Sequence, residues 1–550
     1  MNGMRNNPMK TVAFILVTTI TMVNSLALDA QSVEIIPRPR ETMLRNGSLT
    51  VDERLQIVSS AEAVPAAEVL QNYLSQVAGF EIPLADAMQP NASIIKFSSD
   101  TALVEEAYKL EISPTGIEIS AATAAGWFYG VQSLIQLFPE PTDSTRGNAV
   151  FQVPSVTITD RPRFSWRAFM LDEGRFFKGI DQVKLLLDEM AHLKMNVFHW
   201  HLVDDQGWRI EIKQYPLLTQ VGSKRKSSQV GPLKWDSPIQ SAEPHEGYYT
   251  QDQIREIVRY AAERHITVVP EIEMPGHSSA AIAAYPWLGT AKDKIEVPIR
   301  FGVSEDVYDV SDPKVVKFLT DVLDEVMELF PSEVIHIGGD EVKYTHWNSS
   351  PTVQAYMAEN GLKTPAELQV FFTNHISQYL QRRGRRMMGW NEILGHNIHD
   401  YQGEAQTAST QELAKSTIVH FWRGDLELAT RAAEDGFEIV NSLHTSTYLD
   451  YSYASIPLSK AYAFDPIPED LDPKYHDNII GTGCQMWGEW IPTNGQMHFL
   501  VFPRIAAYAE VGWTREENKD FAAFKVALSN LQKRWERRGI YYATDAVVEE

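Results

Sequence analysis

Asp340 and Glu341 are the side chains in this 550-residue sequence best placed to do chemistry. They follow the apolar run Val334-Ile-His-Ile337 and the glycines Gly338 and Gly339. That is the pattern of a buried strand ending in a turn whose backbone can come close to a ligand. Two carboxyls can cleave an acetal, but the usual scheme sets them on opposite faces of the scissile bond. Neighbours on one chain cannot reach both faces, so the nucleophile should come from elsewhere. A substrate acetamide can supply it: its carbonyl oxygen attacks the anomeric carbon, one carboxylate holds the amide N–H, and the other protonates the leaving oxygen.

Other polar and aromatic residues fall at the ends of apolar runs in the same way: Asp172-Glu-Gly-Arg175, His201-Leu-Val-Asp204-Asp205, Glu271-Ile-Glu273-Met-Pro-Gly-His277, Trp390-Asn-Glu392, Trp422, Tyr448-Leu-Asp450 and Trp487-Gly-Glu489. Indole faces match the C–H faces of a pyranose, and Asp, Glu and Arg make charge-assisted hydrogen bonds to hydroxyls. The inventory is that of a sugar site. Two other readings use some of the same residues. His199-x-His201, with His420 and His444, has a spacing found in metal-dependent barrel hydrolases, although the last strand ends in Trp-Gly-Glu without the aspartate ligand expected there. A carbohydrate-binding protein without catalysis would keep the tryptophans, but it would have no need of the Asp340-Glu341 pair.

The elements that must position these residues alternate between strand and helix patterns. Strands are expected at Arg167–Leu171, Val197–His201, Thr267–Glu271, Val334–Ile337, Arg386–Gly389, Ile418–Phe421, Glu438–Asn441 and Ile480–Gln485. Amphipathic helices lie between them, as at Asp181–Lys194 and Pro313–Phe330. Eight such units suggest an α/β fold, a (β/α)8 barrel whose site lies at the C-terminal ends of the strands. A doubly wound sheet would want a Gly-rich phosphate turn after an early strand, and none is present. Before the barrel, about residues 31–160 read as a small α+β domain. Its strands are expected at Ser32–Ile36, Ser93–Phe97, Tyr108–Ile112 and Gly116–Ser120, and its helices at Ala61–Val77 and Ala122–Leu137. A loop is expected over Phe138–Gly147 and a junction near 160, with the barrel over 161–515 and a helical tail over 516–550 packed on it.

At these motifs the sequence strongly resembles the family-20 β-N-acetylhexosaminidases over nearly the whole chain after residue 30. The resemblance is carried by Gly126-Trp-Phe-Tyr-Gly-Val-Gln-Ser-Leu134, Arg175, His199-Trp-His-Leu-Val-Asp-Asp-Gln-Gly-Trp208, Pro270-Glu-Ile-Glu-Met-Pro-Gly-His277, His336-Ile-Gly-Gly-Asp-Glu341, Gly389-Trp-Asn-Glu392, Tyr448-Leu-Asp450 and Trp487-Gly-Glu489. It implies an exo-acting, retaining, substrate-assisted hydrolase passing through an oxazolinium intermediate. Glu341 would be the general acid/base, Asp340 the residue orienting the acetamido nitrogen, and Tyr448 a donor to the acetamido oxygen. Trp390, Trp422 and Trp487 would wall the pocket, Arg175 would bind the 3- and 4-hydroxyls, Glu489 the 4-hydroxyl and Asp450 the 6-hydroxyl. His277, with Asp204 and Glu273, would support Glu341. No cofactor or metal is implied, and the partner is a glycan ending in N-acetylhexosamine.

Composition narrows the surroundings. With 49 Lys+Arg against 72 Asp+Glu the net charge is −23, which repels phosphate backbones and anionic lipids; nucleic acid is not an expected partner. Arg5 and Lys10 precede an apolar run from Thr11 to about Leu28, followed by small residues. This is the layout of a signal peptide over residues 1–30, and no membrane insertion is expected after its removal. Cys484 is the only cysteine, so a disulfide framework is excluded. The sequons at Asn46 and Asn91 would matter only in a eukaryotic secretory pathway. An exported bacterial protein, periplasmic or secreted, is the expectation.

Overall fold

The computed structural model describes residues 33–548 apart from 86, 88–91, 141–149, 232–234, 397–398 and 400–412. The expected leader, the Asn91 sequon and most of the Phe138–Gly147 loop lie outside the described residues.

The first domain is a seven-stranded sheet of β1 (Glu41–Val51), β2 (Leu55–Val58), β3 (Leu84–Ala85), β4 (Ser93–Ser99), β5 (Tyr108–Ser113), β6 (Gly116–Ala121) and β7 (Phe151–Asp160) in the order β1-β7-β5-β6-β4-β2-β3. Helices α1 (Val64–Ala78) and α2 (Ala124–Gln136) contribute Leu70, Leu74, Trp127, Val131 and Leu134 to the core. Residues 33–36 are not a strand. Ile35 and Ile36 are buried, but the Ile36 N–H donates to Gln136 Oε1 at 2.9 Å and its carbonyl accepts from Gln136 Nε2 at 2.7 Å. A glutamine side chain on α2 satisfies the backbone there in place of a neighbouring strand.

The second domain is a closed parallel barrel of β8 (Trp166–Asp172), β9 (Val197–His201), β10 (Thr267–Glu271), β11 (Val334–His336), β12 (Arg386–Trp390), β13 (Ile418–Phe421), β14 (Glu438–Asn441) and β15 (Ile479–Met486), with β15 pairing back onto β8. Every residue of β8 and β9 is buried, as parallel strands covered on both faces require. Crossover helices bury one stripe each: α3 (Ile180–His192) through Val183, Leu186, Leu187 and Met190, and α5 (Pro313–Leu329) through Val315, Phe318, Leu319 and Val322. Between them α4 (Gln251–Ala262) opens on a Thr250–Gln253 capping box. Asp312 caps α5 by accepting from the Lys314 N–H, with Pro313 in the first turn. A C-terminal helix, α6 (Phe521–Arg537), buries Phe524, Leu528, Leu531 and Trp535, and the Trp535 indole donates to Glu189 of α3 at 2.9 Å.

The small domain meets the barrel at the N-terminal ends of the strands. Arg167, near the start of β8, pairs with Glu106 at 2.8 Å, and Lys194, in the turn before β9, pairs with Asp160 at 3.2 Å. Tyr108 and the Trp513 indole also donate to Asp160, at 2.6 and 3.0 Å. Barrel active sites form at the opposite face, so this domain is a base beneath the site.

Candidate active site

At the C-terminal face lies a pocket of about 430 Å³ that brings together Arg175, His277, Asp340, Glu341, Trp422, Tyr448, Asp450, Trp487 and Glu489. Gly338 and Gly339 leave β11 with φ of 67° and 92°, and Glu341 itself has φ 51°. A non-glycine residue in this left-handed region carries strain that its surroundings must hold in place. The turn sets Asp340 and Glu341 side by side over His277, whose Nε2 is 3.7 Å from Asp340 Oδ2 and 3.6 Å from Glu341 Oε2. Asp340 Oδ1 is buried with no hydrogen-bond partner among the described residues.

The electrostatics of the trio are uneven. Burial pushes Asp340 up to about 8; His277 opposes this, while Glu392 and Glu341 add to it. Burial also favours the protonated form of Glu341, but the hydrogen bond and charge of His277 leave it below the ordinary carboxyl value. Burial alone would discharge His277, yet Asp204, Asp205 and Asp340 hold it well above the usual imidazole range. In the free site these shifts favour the protonated form of Asp340, the ionised form of Glu341 and the imidazolium form of His277.

The closed end of the pocket is built on Arg175. Its Nε donates to Gln206 Oε1 at 3.0 Å, Nη1 to Asp172 Oδ2 at 3.1 Å, and Nη2 lies 2.9 Å from Asp204 Oδ2 and 3.5 Å from Glu489 Oε1. Asp172 is fully buried and also accepts from the Gly488 N–H at 2.8 Å, tying β8 to the Trp487-Gly-Glu489 turn. Burial and the neighbouring Glu489 raise Asp450, and its Oδ1 is likewise unpaired.

The wall is aromatic and forms a cluster separate from the main core: Trp390, Trp422, Tyr448 and Trp487 with Met170. Trp422 and Tyr448 stack 8° from parallel at 6.1 Å, and Trp390 stands 72° from Trp422. Two of the indole N–H groups are held from behind, Trp390 by Glu271 at 2.8 Å and Trp422 by Glu392 at 2.9 Å, which fixes the planes of the rings.

All twelve residues expected from the sequence lie at this pocket or directly beneath it. One pairing differs in emphasis: the acid nearer to His277 Nδ1 is Asp205, at 3.2 Å, against 3.5 Å for Asp204. Asp205 is anchored by Ser279, whose N–H and hydroxyl donate to Oδ1 at 2.9 and 2.6 Å. Glu273 is buried with neither oxygen hydrogen-bonded among the described residues, and burial, with the neighbouring carboxyls of Asp340 and Glu271, raises it well above the ordinary carboxyl value. Sequence reasoning gave no role to Asp172, Gln206, Glu271 or Glu392, and His201 entered it only through the metal-hydrolase reading. The signal available was their position at strand ends; what they bond to depends on the strand alongside.

The histidines of the metal-hydrolase reading lie inside the barrel around Glu271. His199 and His336 approach it at 2.9 Å each and His201 at 2.6 Å, and His420 stacks on Trp390 at 4.2 Å. Both Glu271 oxygens are engaged by the Trp390 indole and His201. His199 Nε2 is left without a hydrogen-bond partner among the described residues, and the ligand atoms of His199, Glu271 and His336 lie within 4.8 Å of one another. His444 is elsewhere, hydrogen-bonded to Tyr451 at 2.8 Å.

Comparison with known proteins gives a consistent result. Residues 32–161 match the model of glycosyl hydrolase family 20, domain 2, and residues 164–516 that of the glycosyl hydrolase family 20 catalytic domain. The chain is 37% identical over 530 residues to a beta-hexosaminidase of Porphyromonas gingivalis, covering 93% of this chain and 64% of that protein. It is 34% identical over 505 residues to a beta-hexosaminidase of Vibrio furnissii, covering 88% and 77%. The crystal structure of a Vibrio harveyi GH20 exo β-N-acetylglucosaminidase with N-acetylglucosamine superposes with TM-score 0.80 at 31% identity, covering 93% of this chain and 78% of that one. The β-N-acetylhexosaminidase of Bacteroides fragilis superposes with TM-score 0.76 at 30% identity, covering 92% and 96%. The small domain, the closed barrel and the strand-end residues thus share one explanation: this chain belongs to glycosyl hydrolase family 20.

Proposed function

We propose that the protein is an exo-acting, retaining β-N-acetylhexosaminidase that removes terminal β-linked N-acetylglucosamine or N-acetylgalactosamine with the help of the substrate's acetamide. The observation that carries this reading is the unpaired Oδ1 of Asp340, buried beside Glu341 within an aromatic wall. An acetamido N–H satisfies it, Tyr448 donates to the amide oxygen, and the indoles exclude water from the forming ring. Arg175, Glu489 and Asp450 hold the hydroxyls at the closed end, which admits only a terminal sugar.

The proton must move before the reaction. Catalysis needs Glu341 protonated to release the leaving oxygen and Asp340 ionised to balance the oxazolinium charge. His277 faces both carboxyls at nearly equal distance. As the amide N–H approaches Asp340, His277 gives its Nε2 proton to Glu341 and takes the Asp340 proton in its place, with no net gain or loss. Glu341 then protonates the leaving oxygen as the amide oxygen attacks the anomeric carbon, and afterwards takes a proton from the water that opens the ring. Every group in this scheme belongs to the chain or to the substrate.

We also propose the division into residues 1–30 as a cleaved leader, 31–160 as an accessory base, 161–515 as the catalytic barrel and 516–550 as its tail, with export to the periplasm or medium. Among the described residues no helix is long and apolar enough to cross a membrane. The first test is release of 4-nitrophenol from the β-N-acetylglucosaminide and the matching β-glucoside with a chelator present. Turnover of the first alone supports the reading, turnover of both returns the nucleophile to the protein, and turnover of neither sinks it.

A further inference from the structure

Beneath the acid pair, the barrel interior holds a charged group that the scheme above does not use. His201, at the end of β9, is fully buried, with Nδ1 2.6 Å from Glu271 Oε2 and Nε2 3.0 Å from Asp204 Oδ2. A carboxylate at each ring nitrogen requires both nitrogens to donate, which makes the ring an imidazolium. Burial opposes that charge, but Glu271 and Asp204 outweigh it and lift His201 to about 10.

Both partners reach further. Asp204 Oδ2 also meets Arg175 Nη2 at 2.9 Å, while Oδ1 accepts the Asp205 N–H at 2.6 Å and stands 3.5 Å from His277 Nδ1. Glu271 holds the Trp390 indole on its other oxygen. One cation thus joins the aromatic wall to the single carboxylate shared by the guanidinium at the closed end and the histidine under Glu341.

We propose that His201 is a positioning residue: its fixed charge keeps Asp204 ionised and in place, and through Asp204 it couples hydroxyl binding at Arg175 to the acid–base setting of His277 and Glu341. This rests on the hexosaminidase reading. The titratable groups facing His201 are Glu271 on β10, Asp204 just past β9, Asp172 on β8 and the carboxyl of Glu273, whose Oε1 is 3.9 Å from Nδ1; the Trp487 ring lies against it at 5.0 Å. Arg175 stands across Asp204, and His199 and His336 share Glu271 with it. Removing the imidazolium leaves the group one charge more negative, so His277 and Glu341 bind protons more tightly.

The test is His201→Gln, which keeps an amide donor and loses the charge. We expect kcat/KM on the 4-nitrophenyl β-N-acetylglucosaminide to fall about 100-fold, with both limbs of its pH profile displaced upward by roughly half a unit to one unit. We also expect the penalty for a 4-deoxy substrate to shrink, because Arg175 is then uncoupled. A folded variant with an unmoved pH profile and an unchanged 4-deoxy penalty would falsify the proposal, since a purely structural residue lowers activity without shifting either. Nitrogen NMR of the histidine-labelled parent protein gives an answer even where the variant does not fold. A ring doubly protonated from pH 6 to 9 supports the role, and a neutral tautomer at pH 7 overturns it. If the parent hydrolyses neither glycoside, the hexosaminidase reading has failed, while the NMR result still decides the state of His201.

Discussion

On the proposed mechanism, the proton that Asp340 holds in the free site would be needed on Glu341, and His277, facing both carboxyls, would make the three side chains one acid–base unit. Asp340→Asn removes the counter-charge of the oxazolinium and is expected to lower kcat by about 10²- to 10³-fold with little change in KM, measured by 4-nitrophenol release. A thiazoline mimic of the intermediate should bind at least ~10²-fold more tightly than N-acetylglucosamine to the parent protein and lose most of that advantage in the Asn variant; equal affinities in a competition assay would remove the substrate's acetamide from the mechanism. Glu392 acts one step back, accepting the Trp422 indole N–H. Glu392→Leu should loosen that wall and raise KM for the acetamido sugar. Asp340, Glu341 and the tryptophans were legible in the sequence because each ends an apolar run. The work of Asp205 and Glu392 was not: the first of two adjacent aspartates looks equivalent to the second until Ser279 is seen anchoring one of them, and Glu392 acts on a tryptophan from the next strand.

At the scale of elements, left-handed backbone marks where the barrel is put to use. Of the seven non-glycine residues with positive φ among the described residues, His277, Glu341 and Trp490 ring the pocket, while Glu106, Lys194 and His265 lie where the small domain meets the barrel. Strain of this kind persists only where packing over-determines it. Gly338 shows the limit: besides its φ of 67°, a Cβ there would fall on the Glu273 carboxyl. Gly338→Ala should therefore cost more than about 2 kcal/mol of stability and displace Asp340 and Glu341 together; a variant melting with the parent at full activity would contradict this. The barrel strands were readable as runs of buried apolar residues, and all eight are present, six of their sixteen ends shifted by one residue. In the small domain, β1 escaped notice because seven of its eleven residues are exposed, which erases the alternation that identifies a half-buried strand. Residues 33–36 erred the other way, since burial of Ile35 and Ile36 resembles a strand whose hydrogen bonds in fact go to Gln136.

For the whole molecule, buried ionisable groups set a pH window for stability. Burial raises Glu173 and Glu510 to about 7 and Asp340 to about 8. The unfolded chain releases these protons first, so stability declines as pH rises through those values, and further as His201 discharges near 10. Burial lowers His192, His245, His336, His420 and His444, which the unfolded chain protonates first, so stability also declines as pH falls below the ordinary imidazole value. Tm should peak between about pH 6 and 7, and calorimetry showing a steady rise to pH 9 would refute the balance. Arg167→Met leaves Glu106 without its buried partner at the domain junction; it should lower Tm while leaving kcat near the parent value, because that junction lies at the far end of the barrel from the site. The closed end at Asp172 and Arg175 has a consequence for how a polymer would be consumed. On the proposed exo-acting reading, a sugar held against that end has one way out, so the shortened chain would depart before water enters, and the freed sugar would leave last by the same route. Each cut ends the encounter, and a long glycan under attack would erode distributively, as a spread of lengths trimmed one unit at a time, with no run of successive cuts along a single strand.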